Sequence, residues 1–185
     1  MLKPISKNYR GLISISGPTK SGKSQLSEYL IKDQKSITYI ATSKPRQNDP
    51  EWQKRINIHK ERRPSSWKLI EHPQDICKAI ESSRTDDTFL LDSLGGLVEQ
   101  HLSDKKDDWE TFQLNFINSI IMKNVGIIVV TEEIGWGIVP GSPIGHLFRE
   151  RHSSLSSLIF QYSTKKWLAI NGIAIDLEKI GYFIP

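Results

Sequence analysis

The chain has 185 residues, 37% apolar and 25% charged, with a net charge of +4. These proportions belong to an ordinary globular protein and exclude a disordered, collagenous or disulfide-framed chain. No apolar run reaches the roughly 18 residues of a membrane span, the first residues lack a signal-peptide core, and the single cysteine, Cys77, excludes an internal disulfide. A cytoplasmic protein with no membrane span is expected, built as one domain over 1–185 with 1–10 as an N-terminal extension.

In chain order, a β-branched run at Leu12–Ser16 leads into Gly17-Pro18-Thr19-Lys20-Ser21-Gly22-Lys23-Ser24. This octet fits the phosphate-binding pattern G-x-x-x-x-G-K-[ST] at every specified position, and a helix candidate, Ser24–Ile31, follows it as the pattern requires. Glycines let the backbone wrap a polyphosphate, and successive N–H groups at a helix start point at the anion. Lys23 is placed for the β/γ-phosphates and the Ser24 hydroxyl for Mg²⁺. The chain therefore reads as a nucleoside triphosphate binder.

Beyond the loop, strand and helix candidates alternate. Strands are expected at Ile37–Ala41, Lys68–Glu71, Thr88–Leu91, Ile127–Thr131 and Trp167–Ile170, with a short last strand, Ile173–Asp176, after the Asn171-Gly172 hairpin signal. Helices are expected at Glu51–Arg62, Asp75–Ser82, Gly96–Leu102 and Ile144–Phe160. Another is expected at Trp109–Met122, where Trp109, Phe112, Phe116, Ile117, Ile120 and Ile121 recur at helical spacing. The alternation predicts an α/β P-loop fold in three layers, with a mostly parallel sheet and a short antiparallel strand at its C-terminal end.

Three segments carry candidate chemistry. Asp92 ends the apolar strand candidate Thr88–Leu91, where a P-loop fold places a carboxylate for Mg²⁺. Between Lys44 and Lys68 cations exceed anions by five, and His59 sits there among Lys60, Arg62 and Arg63. Cations disfavour imidazolium, so a neutral His59 is expected, with a ring nitrogen available as a nucleophile. The segment Glu132–Pro140 holds two glycines and a proline at the carboxyl edge of the sheet, where open α/β folds bind ligands. Cys77, beside Ile76 and Ile80, reads as core packing.

Taken together, these segments resemble the bifunctional adenosylcobinamide kinase/adenosylcobinamide-phosphate guanylyltransferase family of cobalamin biosynthesis, from about Leu12 to Asp176. The matching residues are the Gly17–Ser24 loop, Tyr39 to Ser43, Arg55-Ile56, His59-Lys60, Arg63-Pro64, Trp67 and Glu71. Leu90 to Asp92, Glu133, Gly135, Gly137 to Pro140 and Phe148-Arg149 match as well. The resemblance implies a RecA-like sheet, a homo-oligomer (often a trimer), and two reactions. One is phosphorylation of adenosylcobinamide by ATP or GTP. The other is attack of His59 on the α-phosphate of GTP, with transfer of GMP to the cobinamide phosphate. It assigns Ala41, Thr42, Ser43, Lys60, Glu61, Arg62, Arg63, Glu71 and Asp92 to the guanine nucleotide. The chain departs from the family with Gly-Pro-Thr-Lys in the loop for Gly-Gly-Ala-Arg, with Glu132 for asparagine and with Trp136 for a smaller apolar residue. Two other readings of the residues stay open: a P-loop small-molecule kinase without a covalent intermediate, and a RecA-like ATPase using the basic segment on nucleic acid. The expected partners are small molecules and not nucleic acid.

Overall fold

A computed structural model of the chain describes residues 2–46, 48–84, 86–182 and 184, with the backbone alone at position 55. The Arg55 side chain, part of the family pattern, lies outside the described residues.

Seven strands form one sheet in the order β3-β2-β4-β5-β1-β6-β7. They are β1 (Gly11–Ser16), β2 (Ser36–Ala41), β3 (Lys68–Glu71), β4 (Asp87–Asp92), β5 (Gly126–Val130), β6 (Lys165–Ile170) and β7 (Ile173–Asp176). Every neighbouring pair is parallel except β6 with β7. That pair is antiparallel because Asn171 and Gly172 both take positive φ, 47° and 79°, as a two-residue hairpin turn demands.

The central strands β1, β2, β4 and β5 are buried on both faces, so their successive residues feed two cores. Phe89, Leu91, Ile127 and Val129 pack on one side against α3 (Ile76–Glu81), α4 (Leu94–Gln100), α5 (Lys106–Lys123) and α6 (Pro143–Tyr162). Leu90, Ile128 and Val130 pack on the other against Leu26, Leu30 and Ile31 of α1 (Lys23–Ile31). The N-terminal residues close this second core: Ile5 is buried and its N–H donates to the Leu30 carbonyl at 2.9 Å.

Helix starts follow local chemistry. In α2 (Pro50–Arg62) the Asp49 side chain accepts from the Trp52 N–H and Pro50 fills the first turn. The Ser142 hydroxyl does the same for the Gly145 N–H of α6. In α5, Asp107 and Asp108 stand in the first turn, Lys123 in the last, and Asn124 closes the helix with φ 50°.

Several expected bounds shift. The predicted helix Gly96–Leu102 lies at Leu94–Gln100, because Ser93 is the residue where the strand turns and His101 already leaves the helix. Thr131 falls outside β5, although its N–H still bonds the Ile15 carbonyl. Asp75 and Ser82 are the caps of α3 and not part of it. A 3₁₀ turn, Ile134–Trp136, and a short α7, Leu177–Ile180, were not expected.

Candidate active site at the carboxyl edge of the sheet

Strand register gathers the site. Glu71 pairs with Ala41, Ala41 with Asp92, Asp92 with Val130, and Val130 with Ile15. Residues far apart in sequence thus share one row, and the turns beyond it form the carboxyl edge where parallel α/β sheets place ligands.

At the end of β1 the loop takes a shape that needs its glycines. Gly17 has φ 149° and Gly22 has φ 99°. A Cβ on Gly17 would stand 2.1 Å from the Ala169 carbonyl oxygen of β6. Lys20 takes φ 61° and is exposed, while Ser21 is buried with its carbonyl accepting from the Gly172 N–H at 3.0 Å. The hairpin between β6 and β7 therefore braces the loop. Lys23 donates from Nζ to the carbonyls of Gly17 and Pro18, both at 2.7 Å, so its ammonium lies inside the loop. Ser24 follows Lys23 in the first turn of α1.

A cavity of about 830 Å³ lies beside this loop. Thr19, Ala41, Ser43, His59, Lys60, Arg63, Glu71 and Asp92 of the expected site line it. The Thr42 side chain is buried and turned away, its hydroxyl donating to the Ser93 carbonyl. Glu61 is exposed on α2, and Arg62 points toward α1.

Helix α2 shows the cavity Trp52, Ile56 and His59, one face at spacings of four and three, and Arg63 just past its end joins them. None of its described side chains is fully buried, so polar contacts hold it. Arg62 Nη2 donates to Glu28 Oε1 of α1 at 3.0 Å and lies 3.4 Å from His59 Nδ1. Asp92 Oδ2 lies 3.7 Å from the same Nδ1 and accepts from the Tyr39 hydroxyl at 2.9 Å. Arg63 covers the Tyr39 ring at 4.9 Å. The Lys60–Glu71 pair, 3.8 Å with both partners more than half exposed, contributes little. Burial and the Asp92 carboxylate push the Tyr39 phenol well above its ordinary range, so it stays a donor. Burial also raises the Glu28 carboxyl, and Arg62 offsets this only in part.

The far wall is organised by Glu132. Its carboxylate accepts from the Ser93 hydroxyl, from the Gly95 N–H at 3.1 Å, and pairs with Nε2 of the buried His152 at 3.1 Å. Burial alone would raise this carboxyl, but the bonds from His152 and Ser93 prevail and hold it below the usual glutamate range. Glu133 ties the wall to the loop, its N–H donating to the Gly17 carbonyl at 3.1 Å.

Sequence reasoning missed Tyr39, Glu28, Ser93 and His152 as site residues. Only Tyr39 carried a signal, one place in the matching Tyr39 to Ser43 segment. The Asp92 carboxylate at His59 Nδ1 adds an anion to the cations expected around His59. A second concavity, about 880 Å³ between α3 and α5, lies away from the loop. Cys77 lines it, half-buried, its thiol pushed up to about 11 by burial and Asp75, which suits packing and not attack.

Oxygen donors suit magnesium. Ser24 and Asp92 offer a hydroxyl and a carboxylate, and no cluster of three or more His, Cys, Asp or Glu gathers among the described residues. That sparse set fits an ion that keeps waters and substrate phosphates as its other ligands. No described helix is long and apolar enough to cross a membrane.

Known proteins resemble the chain over most of its length. Residues 13–177 match the family model described as cobinamide kinase / cobinamide phosphate guanyltransferase. The chain is 28% identical over 182 residues to the bifunctional adenosylcobalamin biosynthesis protein CobU of Escherichia coli, covering 90% of this chain and 99% of that one. It is 26% identical to the protein of the same name from Salmonella typhimurium, with the same coverage. Among solved structures, a KaiC-like protein from Pyrococcus horikoshii superposes with a TM-score of 0.50 at 12% identity, over 85% of this chain and 70% of that one. This last likeness concerns the fold alone, a P-loop sheet of the RecA-like kind.

Proposed function

The chain belongs to the cobinamide kinase / cobinamide phosphate guanyltransferase family of transferases, and from that membership we propose that it catalyses both steps in cobalamin biosynthesis, the second through a guanylyl-histidine at His59. The observation that carries this reading is the placement of His59. Its Nδ1 faces Asp92 at 3.7 Å in the cavity beside the phosphate loop. In the tautomer with the proton on Nδ1, facing Asp92, the lone pair is on Nε2 and the cation formed on the ring by attack is stabilised by the same carboxylate. This tautomer requires Arg62 to direct its N–H to Glu28 and not to Nδ1.

In the guanylyl step, Nε2 attacks the α-phosphorus of GTP. A P–N bond forms, the bond from the α-phosphorus to the bridging oxygen breaks, and pyrophosphate leaves. The phosphate oxygen of adenosylcobinamide phosphate then attacks that phosphorus, the P–N bond breaks, and GDP-cobinamide forms with the imidazole restored. The loop N–H groups, Lys23 and Arg63 oppose the charge that builds on the phosphates. In the kinase step the same loop presents the γ-phosphate of ATP or GTP to the aminopropanol hydroxyl. Ser24 and Asp92 would hold Mg²⁺, which supplies charge neutralisation on the phosphates. Ala41, Ser43, Lys60 and Glu71 line the side of the cavity assigned to the guanine nucleotide.

Two labels test the reading. With γ-labelled triphosphate, label should reach adenosylcobinamide. With α-labelled GTP, label should appear first on the protein, stable to alkali and labile to acid, and then on the corrinoid. Transfer of γ-label with no protein-bound α-label would mean a kinase without the covalent step.

A further inference from the structure

The cavity has two chemically different sides. Toward α2 and β3 it carries His59, Lys60, Arg63 and Glu71, and the phosphate loop adjoins it. The opposite lip is the turn from Ile134 to Gly145, twelve residues without one charged side chain. Trp136, Ile138, Val139 and Ile144 of this turn are 61%, 97%, 56% and 55% exposed. Isolated exposed apolar residues are ordinary, but four within nine positions at the rim of a reaction cavity form a patch. Ile138 and Ile144 belong to both, since they line the cavity together with Ile134 and Phe148.

The glycines of the turn strengthen the point. Neither Gly135 nor Gly141 takes the positive φ that only glycine tolerates well, and a Cβ on either would meet nothing within 4 Å. Fold and packing do not require them. What their missing side chains leave is bare backbone on which a flat surface can lie closely.

The cation at this lip, Arg149, lines the cavity and directs a guanidinium N–H to the Gly135 carbonyl at 3.3 Å, whereas the phosphate loop, Lys60 and Arg63 across the cavity present the cationic set that a triphosphate needs. Of the two substrates that must meet at His59, the one left for this lip is the corrinoid, a broad macrocycle edged with methyl and neutral amide groups. We propose that the 134–145 turn is the corrinoid docking surface. It seats the macrocycle over Trp136, Ile138 and Val139, while the aminopropanol arm runs past Ile144 into the cavity. This rests on the functional reading above and adds to it where the second substrate binds.

The test is equilibrium dialysis of adenosylcobinamide phosphate, followed by its own visible absorption, against wild-type protein, Ile138→Asp and Ile138→Leu. Dialysis of GTP and sedimentation are run on the same samples. An Ile138→Asp affinity for the corrinoid about tenfold or more below wild type supports the proposal, provided Ile138→Leu stays near wild type and GTP binding and sedimentation are unchanged. Equal corrinoid affinity in wild type and Ile138→Asp overturns it. So does a change of sedimentation in Ile138→Asp, which would assign the patch to contact with a second copy of the chain. Wild-type protein that binds GTP but no corrinoid would overturn the functional reading itself, and this proposal with it.

Discussion

Replacing Glu28 with glutamine separates the placing of His59 from the stability of the fold. At 3.0 Å the Glu28–Arg62 attraction amounts to about 5–6 kcal/mol at an effective dielectric near 20. Burial nevertheless leaves the Glu28 carboxyl above its ordinary value, so desolvation consumes that attraction and the pair is close to neutral for stability. Glutamine keeps an oxygen for Arg62, and the unfolding free energy should change by less than about 1 kcal/mol. The pH dependence has a definite sign. A raised carboxyl favours the folded state in acid, and that advantage fades as pH rises through its folded value. Relative to wild type, Glu28→Gln should therefore gain stability as pH rises from below about 4.5 toward neutrality. The rate should respond differently. Helix α2 has no fully buried described side chain, and Arg62 touches both Glu28 and His59. Loosening a nucleophile by about 1 Å can cost on the order of 100-fold, so guanylylation should slow about 10- to 100-fold while GTP affinity stays within about threefold. Rapid-quench labelling with α-labelled GTP, beside denaturant titration, measures both. Guanylylation at the wild-type rate would refute the placing role of Glu28.

Other substitutions probe the rest of the site. Lys23→Ala removes a charged donor lodged in the phosphate loop, and GTP affinity by dialysis should fall about 10- to 100-fold. Gly96→Ala would put a Cβ 2.5 Å from Thr42 Oγ1 and 2.6 Å from the Ser43 nitrogen. It should cost about 1–3 kcal/mol by urea titration, whereas Gly135→Ala, with open space around it, should cost under about 0.5 kcal/mol. Glu132 is held below its ordinary value, so its stabilisation is present above about pH 4.5 and lost as pH falls through the folded value. Glu132→Gln should flatten that acid loss in urea titrations between about pH 6 and 3.

Much of the fold is legible because the central strands are buried on both faces and read as unbroken apolar runs, such as Phe89-Leu90-Leu91 and Ile127 to Val130. The phosphate loop is legible because backbone geometry dictates its residue types. Helix α4 slides by two residues against expectation because Gly95 and Gly96, poor helix formers, lie inside it. Thr42 and the Ser43 nitrogen leave no room for a Cβ at Gly96, and at Gly95 a Cβ would press on the Glu132 carboxylate at 3.2 Å. Asp92 and His59 could be named from sequence, but their meeting could not, since it depends on the register of β2 with β4 and the position of α2. Glu28 was invisible for the same reason. It is one polar residue on a short helix until Arg62, 34 positions later, folds back onto it. The pairing of Glu132 with His152 spans two elements whose packing no local pattern encodes.

The most direct test of the account is the protein-bound nucleotide itself. Wild-type protein given Mg²⁺ and GTP without corrinoid should gain the mass of one guanylyl group, GMP less a water, and peptide mapping should place it on His59. His59→Ala, with GTP binding retained, should gain none. An adduct that persists in His59→Ala, or wild-type protein that turns over GTP and corrinoid with no adduct at any time, would contradict it.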